Sequence, residues 1–306
     1  MRDAFVRTLL EIAKRDKDVI VLTGDLGFGV LKPFFDQLPE QIINAGIAEQ
    51  NMTSVAAGLA LSGKKVFTYS IGNFPTLRCL EQIRNDCAYH RADVKIVCIG
   101  GGFTYGGLGM SHFATEDISI MRALPGVSVF APGDVTEAEK VTEEIYKTKG
   151  TCYLRLGRGG GERIYPEHSL DGKSVLKAVK LSDGKDIAVF CTGGILSEVY
   201  PVVQSLKRDG ICVSAYSFPT VKPFDRETAL SVADNFKTII TVEENQLSGG
   251  FGSLVSETLT DAGKGTKLIR MGIPDVYPEV VGSQQFLREK FGLNAAAIEK
   301  KIKDIL

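Results

Sequence analysis

The hexapeptide Gly46-Ile47-Ala48-Glu49-Gln50-Asn51 places one carboxylate where an extended segment gives way to a helix. Gln41 to Asn44 reads as a short extended run, and Met52, Val55, Ala56, Leu59 and Ala60 follow at helical spacing, so Glu49 falls near a helix N-terminus. Burial raises a carboxyl pKa and the helix dipole lowers it. In so small and apolar a setting the charge is costly unless a ligand meets it. The plain alternative is a Glu that caps its own helix.

A second candidate is His112, delivered by the loop Gly100-Gly101-Gly102-Phe103-Thr104-Tyr105-Gly106-Gly107-Leu108-Gly109-Met110-Ser111-His112. A strand ends here in a flexible Gly-rich segment, and ligands of open α/β sheets bind at such strand ends. Glycine permits close backbone approach to a ligand, and an imidazole can donate to or accept from a substrate oxygen near neutral pH. Of the three histidines (His90, His112 and His168), only His112 sits in such a loop. A mobile surface loop with an incidental His is the other reading.

Arg155 and Arg158 flank Leu156 and Gly157 at the close of an apolar strand, where a guanidinium fork suits a phosphate. Arg158 is the preferred anion ligand, against a linker salt bridge. Phe74, in Gly72-Asn73-Phe74-Pro75, could stack on a planar ring or fill a core. Arg78 to Asp86 reads as a helix with Arg78 four residues before Gln82 and Glu81 four before Asn85, a mostly structural polar face. For Glu49, one fitting partner is the aminopyrimidine of thiamine diphosphate: a carboxyl bonded to its ring nitrogen promotes the imino tautomer that deprotonates the thiazolium carbon. There is no P-loop, no dinucleotide fingerprint and no GDG motif for a metal diphosphate.

These residues need strands to carry them. Apolar runs at Val19 to Thr23, Val66 to Ser70, Val94 to Gly100, Val127 to Phe130 and Cys152 to Leu156 alternate with helical patterns, as in a parallel sheet covered on both faces. A second, smaller alternation follows, with strands at Ile187 to Cys191, Ile211 to Ser217, Thr238 to Val242 and Lys267 to Met271. Its helices begin at Ser197 and Asp225, and a third runs from Gly249-Gly250 to Ala262. The expected architecture is two open α/β domains, residues 1–160 and 185–306, joined by a linker over 161–184. Gly159 to Gly161, Pro166, Asp171-Gly172 and Asp183-Gly184 mark turns there.

The chain has 306 residues and a formal net charge of −1, with no long basic run, so neither nucleic acid nor an anionic membrane surface is an expected partner. Met1 to Lys14 reads as an amphipathic helix rather than a signal peptide, and no segment could span a bilayer. Six cysteines without CxxC spacing, four of them in strand-like runs, fit buried reduced thiols in a cytoplasmic protein.

Taken in order, the motifs resemble the C-terminal half of transketolases, the pyrimidine-binding domain followed by the transketolase C-terminal domain. The resemblance covers nearly the whole chain. It rests on Thr23-Gly24-Asp25-Leu26-Gly27, on residues 46–51, and on Arg78 through Asp86 with Ala88-Tyr89. Gly109-Met110-Ser111-His112 with Glu116-Asp117, Met121-Arg122-Ala123-Leu124-Pro125 and Leu154-Arg155-Leu156-Gly157-Arg158 extend it. The resemblance implies that Glu49 activates thiamine diphosphate, that Phe74 belongs to the aromatic wall around its pyrimidine, and that Asp25 lies near the thiazolium across the interface between subunits. His112 would contact a sugar substrate and Arg158 its terminal phosphate. It further implies a separate diphosphate-binding subunit carrying Mg²⁺ or Ca²⁺, a dimer core within a heterotetramer, and an inactive isolated chain.

Departures from the family pattern bear on the substrate. Leu108 stands where an acid usually reads the donor hydroxyl, Gly100 to Gly102 replace a phosphate-binding histidine, and Gly29 replaces a phosphate-contacting serine. Ile71 takes the place of one pyrimidine-stacking aromatic, and Glu243-Glu244-Asn245 stand where a histidine is common. The activity implied is transfer of a two-carbon ketol unit between sugars. A 1-deoxy-xylulose 5-phosphate synthase-like enzyme, the beta chain of a 2-oxo acid decarboxylase and a non-catalytic assembly partner are the competing readings.

Overall fold

The computed structural model describes residues 1–158, 163–166 and 168–306, so the turn expected at Gly159 to Gly161 falls outside the described residues. The first six strands are β1 (Val19–Thr23), β2 (Ile42–Asn44), β3 (Lys65–Ile71), β4 (Val94–Ile99), β5 (Ser128–Phe130) and β6 (Cys152–Leu156). The rest are β7 (Val179–Ser182), β8 (Ile187–Cys191), β9 (Ser214–Ser217), β10 (Thr220–Lys222), β11 (Thr238–Gln246) and β12 (Lys267–Ile273). They form two sheets, in the orders β10-β5-β6-β4-β3-β1-β2 and β12-β11-β8-β9-β7.

Parallel pairing dominates both sheets, with antiparallel pairs confined to one edge of each: β10 against β5 and β7 against β9. Every residue of β1, β4, β6, β8 and β11 is buried, as expected of strands with helices on both faces. Side chains alternate between two cores. Val19 and Val21 join Phe5, Leu9, Val141 and Ile145 of the helices Arg2–Ala13 and Val135–Lys147, while Ile20 and Leu22 join Met52 and Ala56 of the helix Glu49–Leu61.

Several elements differ from the sequence expectation. The segment 161–184 holds β7, an edge strand of the second sheet, and β10 from the second half completes the first sheet. Neither carries a strong pattern, because each is a three- or four-residue edge strand. Arg78 to Asp86 is not one regular helix: a 3₁₀ turn over Leu77–Cys79 and a short α turn over Leu80–Gln82 lead into a π segment, Ile83–Ala88. Cys212 is exposed and precedes β9, whereas Cys79, Cys87, Cys98, Cys152 and Cys191 are buried free thiols. No helix among the described residues is long and apolar enough to cross a membrane.

Candidate active site

Glu49 is the first residue of its helix and only 3% exposed. Its carboxylate makes no cap bond; Oε2 accepts instead from Arg78 Nη1 at 2.7 Å. The expected ligand-only carboxylate therefore has a protein partner, and the Arg78 read as structural helix surface is that partner. Gly24, just after β1, packs close to the Gly46 carbonyl: a Cβ there would lie 3.2 Å from that oxygen and at an ordinary 3.6 Å from Glu49 Cγ.

Asp25 follows in a left-handed conformation (φ 59°), an uncommon state for a residue with a side chain. Asn44, at the end of β2, stabilises it from both sides. Asn44 Oδ1 accepts from the backbone N–H of Asp25 at 2.9 Å and of Gly46 at 3.0 Å, and Nδ2 donates to Asp25 Oδ1 at 3.1 Å. One amide thus ties the loop bearing Asp25 to the loop leading to Glu49.

The loops after β3 and β4 interlock. Gly72 (φ 48°) leaves no space for a side chain, since a Cβ would stand 2.7 Å from the His112 carbonyl. That approach sets the Phe74 and His112 rings edge to face, centroids 5.1 Å apart. Arg78 lies over the Phe74 ring as well, its guanidinium 4.5 Å from the ring centroid. Phe74 N–H closes back on the Ile71 carbonyl at 3.0 Å, so Ile71 anchors this turn through its main chain. Tyr105, 6.3 Å from the His112 ring, carries the Arg158 guanidinium at 5.3 Å. Burial raises the Tyr105 hydroxyl pKa, and the Arg158 charge pulls against it.

Glu49, Arg78, Phe74, His112, Tyr105 and Arg158 therefore make one contiguous path across the carboxyl ends of the first sheet. Arg158 is exposed and has no carboxylate partner among the described residues. Arg155 is the opposite case. It is buried, with Nε on Asp117 Oδ2 and Nη2 on the Ala114 and Glu244 carbonyls, all at 2.8 Å. Burial opposes its charge, but Asp117, Tyr153 and Glu244 outweigh it and raise the pKa. His168 pairs with Asp171 on the surface and His90 lies against Tyr89, away from the path.

The glycine run does not behave as a flexible ligand cradle. A Cβ on Gly100 would strike the Tyr105 ring, on Gly101 the Arg155 side chain, and on Gly102 the Glu244 carboxylate. Each glycine yields to a protein side chain. Phe103 and Phe113 are fully buried and Gly102 bridges to Ala114, so the loop is packed. Glu244, from the second domain, grips it: Oε1 accepts from Phe103 N at 2.6 Å and from Gln284 Nε2 at 2.9 Å, and Arg288 pairs with Oε2. Sequence reasoning missed Asn44, Arg78 and Tyr105 as parts of the site. Arg78 stands 29 positions from Glu49, with no local spacing to link them.

The chain matches the family "Transketolase, pyrimidine binding domain" over residues 1–162 and "Transketolase, C-terminal domain" over residues 176–298. A Methanocaldococcus jannaschii protein described as a transketolase C-terminal section is 37% identical over 303 residues, 99% of this chain and 95% of that one. An apulose-4-phosphate transketolase subunit of Phocaeicola vulgatus is 36% identical, covering 98% and 95%. The 6-deoxy-6-sulfo-D-fructose transketolase subunit of a Clostridium species is 35% identical, covering 100% and 94%. Among solved structures, a split gene transketolase in an inactive beta4 tetramer superposes with a TM-score of 0.88 at 30% identity, covering 99% of this chain and 96% of its own. Two family matches in sequence order, full-length relatives and a shared fold lead to one assignment: the chain belongs to the transketolase family.

Proposed function

We propose that this chain is the smaller subunit of a split transketolase and works only with a separate diphosphate-binding subunit. The observation that carries the reading is the Glu49 carboxylate, buried at a helix N-terminus and joined through Arg78 to Phe74, in a chain whose relatives are transketolase subunits along nearly their whole length. In this reading residues 1–160 are the pyrimidine-binding domain and 185–306 the C-terminal domain, and 161–184 joins them while lending β7 to the second sheet. Mg²⁺ or Ca²⁺ belongs on the partner, the assembly is a heterotetramer about a dimer core, and the compartment is the cytoplasm.

The residues present fit the cofactor's pyrimidine. Glu49 has little solvent to compete for its carboxyl, and the half-exposed Arg78 guanidinium that bonds it and covers the Phe74 ring holds the place a pyrimidine would take on displacing it. When bound, thiamine diphosphate supplies a thiazolium carbon that takes up the two-carbon unit and stabilises its charge. Glu49 would hold a proton against the pyrimidine ring nitrogen, and Phe74 and Ile71 would be the residues beside that ring. Asp25, fixed by Asn44, would lie near the thiazolium across the boundary with a neighbouring subunit. His112 orients a hydroxyl or carbonyl at the reacting end of the sugar, with Ser111 Oγ 3.0 Å from its Nδ1. Arg158, held against Tyr105, takes the distal anionic group.

The donor is a ketose bearing a terminal anion. The relatives named above act on a sugar phosphate in one case and a sulfo sugar in the other, and Arg158 suits either oxyanion. Leu108, 59% exposed in the His112 loop, offers the donor no hydrogen bond. The test is co-expression with a diphosphate-binding transketolase subunit that carries a GDG motif, followed by assay with phosphorylated and sulfonated ketoses. Turnover by the isolated chain, or no turnover by the co-purified pair, would sink the reading. Pyruvate replacing hydroxypyruvate as the better donor would move it to the decarboxylating relatives.

A further inference from the structure

Tyr105 lies in the loop that delivers His112, and its ring touches both ends of the proposed substrate path. The His112 ring centroid is 6.3 Å from its own and the Arg158 guanidinium 5.3 Å. The backbone fixes the ring there: a Cβ on Gly100 (φ 96°) would strike it, and the residue is 8% exposed. Packing alone accounts for a ring in this position. It does not account for the hydroxyl, because a phenylalanine would fill the same space.

The other side chains of the loop offer a ligand little. Ser111 Oγ is 3.0 Å from His112 Nδ1, Thr104 Oγ1 donates to the Gly101 carbonyl at 2.7 Å, and Leu108, though 59% exposed, has no polar atom to give. Tyr105 Oη makes no hydrogen bond among the described residues, and it is not one of the polar atoms sealed in the interior without a partner. It therefore opens toward solvent or a ligand. The wholly buried Tyr153 shows the contrast, its hydroxyl donating to Asp117 Oδ2. A phenol held by its ring, with Oη unengaged, can donate to or accept from a sugar hydroxyl at little further cost in entropy.

We propose that Tyr105 Oη reads a hydroxyl in the middle of the donor, between the carbonyl carbon at His112 and the anion at Arg158. This role rests on the donor reading above: Tyr105 determines specificity and moves no proton. A ketose with a hydroxyl at the matching carbon gains a hydrogen bond, and a donor without one displaces water from Oη and returns nothing. Leu108, in the same loop, cannot perform this task.

The test compares Tyr105→Phe with wild type in the complex with a diphosphate-binding subunit, saturated with thiamine diphosphate and Mg²⁺. The variant keeps the ring against His112 and Arg158 and loses only the hydroxyl. Xylulose 5-phosphate carries hydroxyls between its carbonyl and its phosphate, whereas hydroxypyruvate has none between its carbonyl and its carboxylate. Expected is a fall of about tenfold in kcat/KM for xylulose 5-phosphate, with hydroxypyruvate within about threefold of wild type. If the wild-type complex prefers a sulfonated ketose, that ketose takes the place of xylulose 5-phosphate. Xylitol 5-phosphate, which has the hydroxyls and the phosphate but no carbonyl to react, should bind the variant about tenfold more weakly by calorimetry. Unchanged values for both donors would leave Tyr105 a packing residue and overturn the proposal. So would equal losses for both, which mark a general disturbance of the site. A wild-type complex that turns over neither donor would sink the transketolase reading itself, and this role with it.

Discussion

The Arg78 guanidinium donates to the Glu49 carboxylate at 2.7 Å while lying 4.5 Å from the centroid of the Phe74 ring. A planar cation that both bonds this carboxylate and stacks on this aromatic makes the two contacts an aminopyrimidine needs. The pair is asymmetric: Glu49 is 3% exposed and Arg78 is 46% exposed. Arg78→Ala therefore leaves a buried carboxylate without its partner, at an expected cost of about 1–3 kcal/mol in urea unfolding. In a Glu49→Gln background the same change should cost much less, and equal costs in both backgrounds would show that the two residues are not coupled.

Glu49→Gln should keep the fold, because an amide of the same shape still fills the site and still accepts from Arg78. It cannot hold the proton that the pyrimidine nitrogen requires. Turnover by the complex with the partner should fall by roughly 100 to 10,000-fold, the range typical of general acid–base groups. A variant within threefold of wild type would leave Glu49 as a purely structural anion.

His112 and Arg158 each lie against Tyr105 but have different roles in this reading, and their effects should separate. His112→Ala should lower kcat with little change in KM, and Arg158→Ala should raise KM for donors with a terminal phosphate or sulfonate. Unchanged KM values for every anionic donor in Arg158→Ala would free that residue from substrate binding.

Strands buried on both faces were legible because their apolar runs are unbroken: β1, β6 and β8 have the boundaries the sequence suggests. The edge strands β7 and β10 were not, since runs of only three or four residues leave no periodicity to read. The site divides the same way. Glu49, Phe74, His112 and Arg158 stand in local patterns, and the structure brings them onto one path. The residues that join them do not: Arg78 and Tyr105 act through partners distant in sequence or hidden by a glycine. The run Gly100 to Gly102 misled for a related reason, as glycine signals a close approach without saying what approaches.

The packed glycine loop makes its own prediction. Gly102 is left-handed (φ 62°), and a Cβ there would collide with the Glu244 carboxylate that bonds Phe103 N–H and pairs with Arg288. Gly102→Ala adds backbone strain of about 1–2 kcal/mol to a displaced buried ion pair. The expected result is a chain that melts several degrees lower and exposes the domain junction to protease. A melting temperature equal to wild type would mean that the loop is looser than its packing implies.

Stability should fall as pH rises from about 4.5 to about 7. Glu137 is fully buried on the helix Val135–Lys147, and burial pushes its pKa up to about 7, with Gly133 N–H opposing and the nearby Asp134 charge adding to the rise. Glu243 is likewise buried and pushed up to about 7, against the N–H groups of Gly252 and Phe251 and the Arg155 charge. A carboxyl whose folded pKa lies above its unfolded value binds protons more strongly when folded, so its contribution is complete below the unfolded pKa and disappears as pH passes the folded one. Each group accounts for on the order of 3 kcal/mol across that window, an upper figure for a buried acid. Glu137→Gln removes one of the two titrations. Its amide oxygen can accept only one of the bonds that Glu137 takes from Gly133 N at 2.6 Å and Tyr165 Oη at 2.8 Å, so its absolute stability is a poor readout. The slope is the measurement: between pH 5 and pH 7 the urea midpoint should decline less steeply in the variant than in wild type. Parallel slopes would mean that Glu137 stays ionised in the folded chain throughout this range.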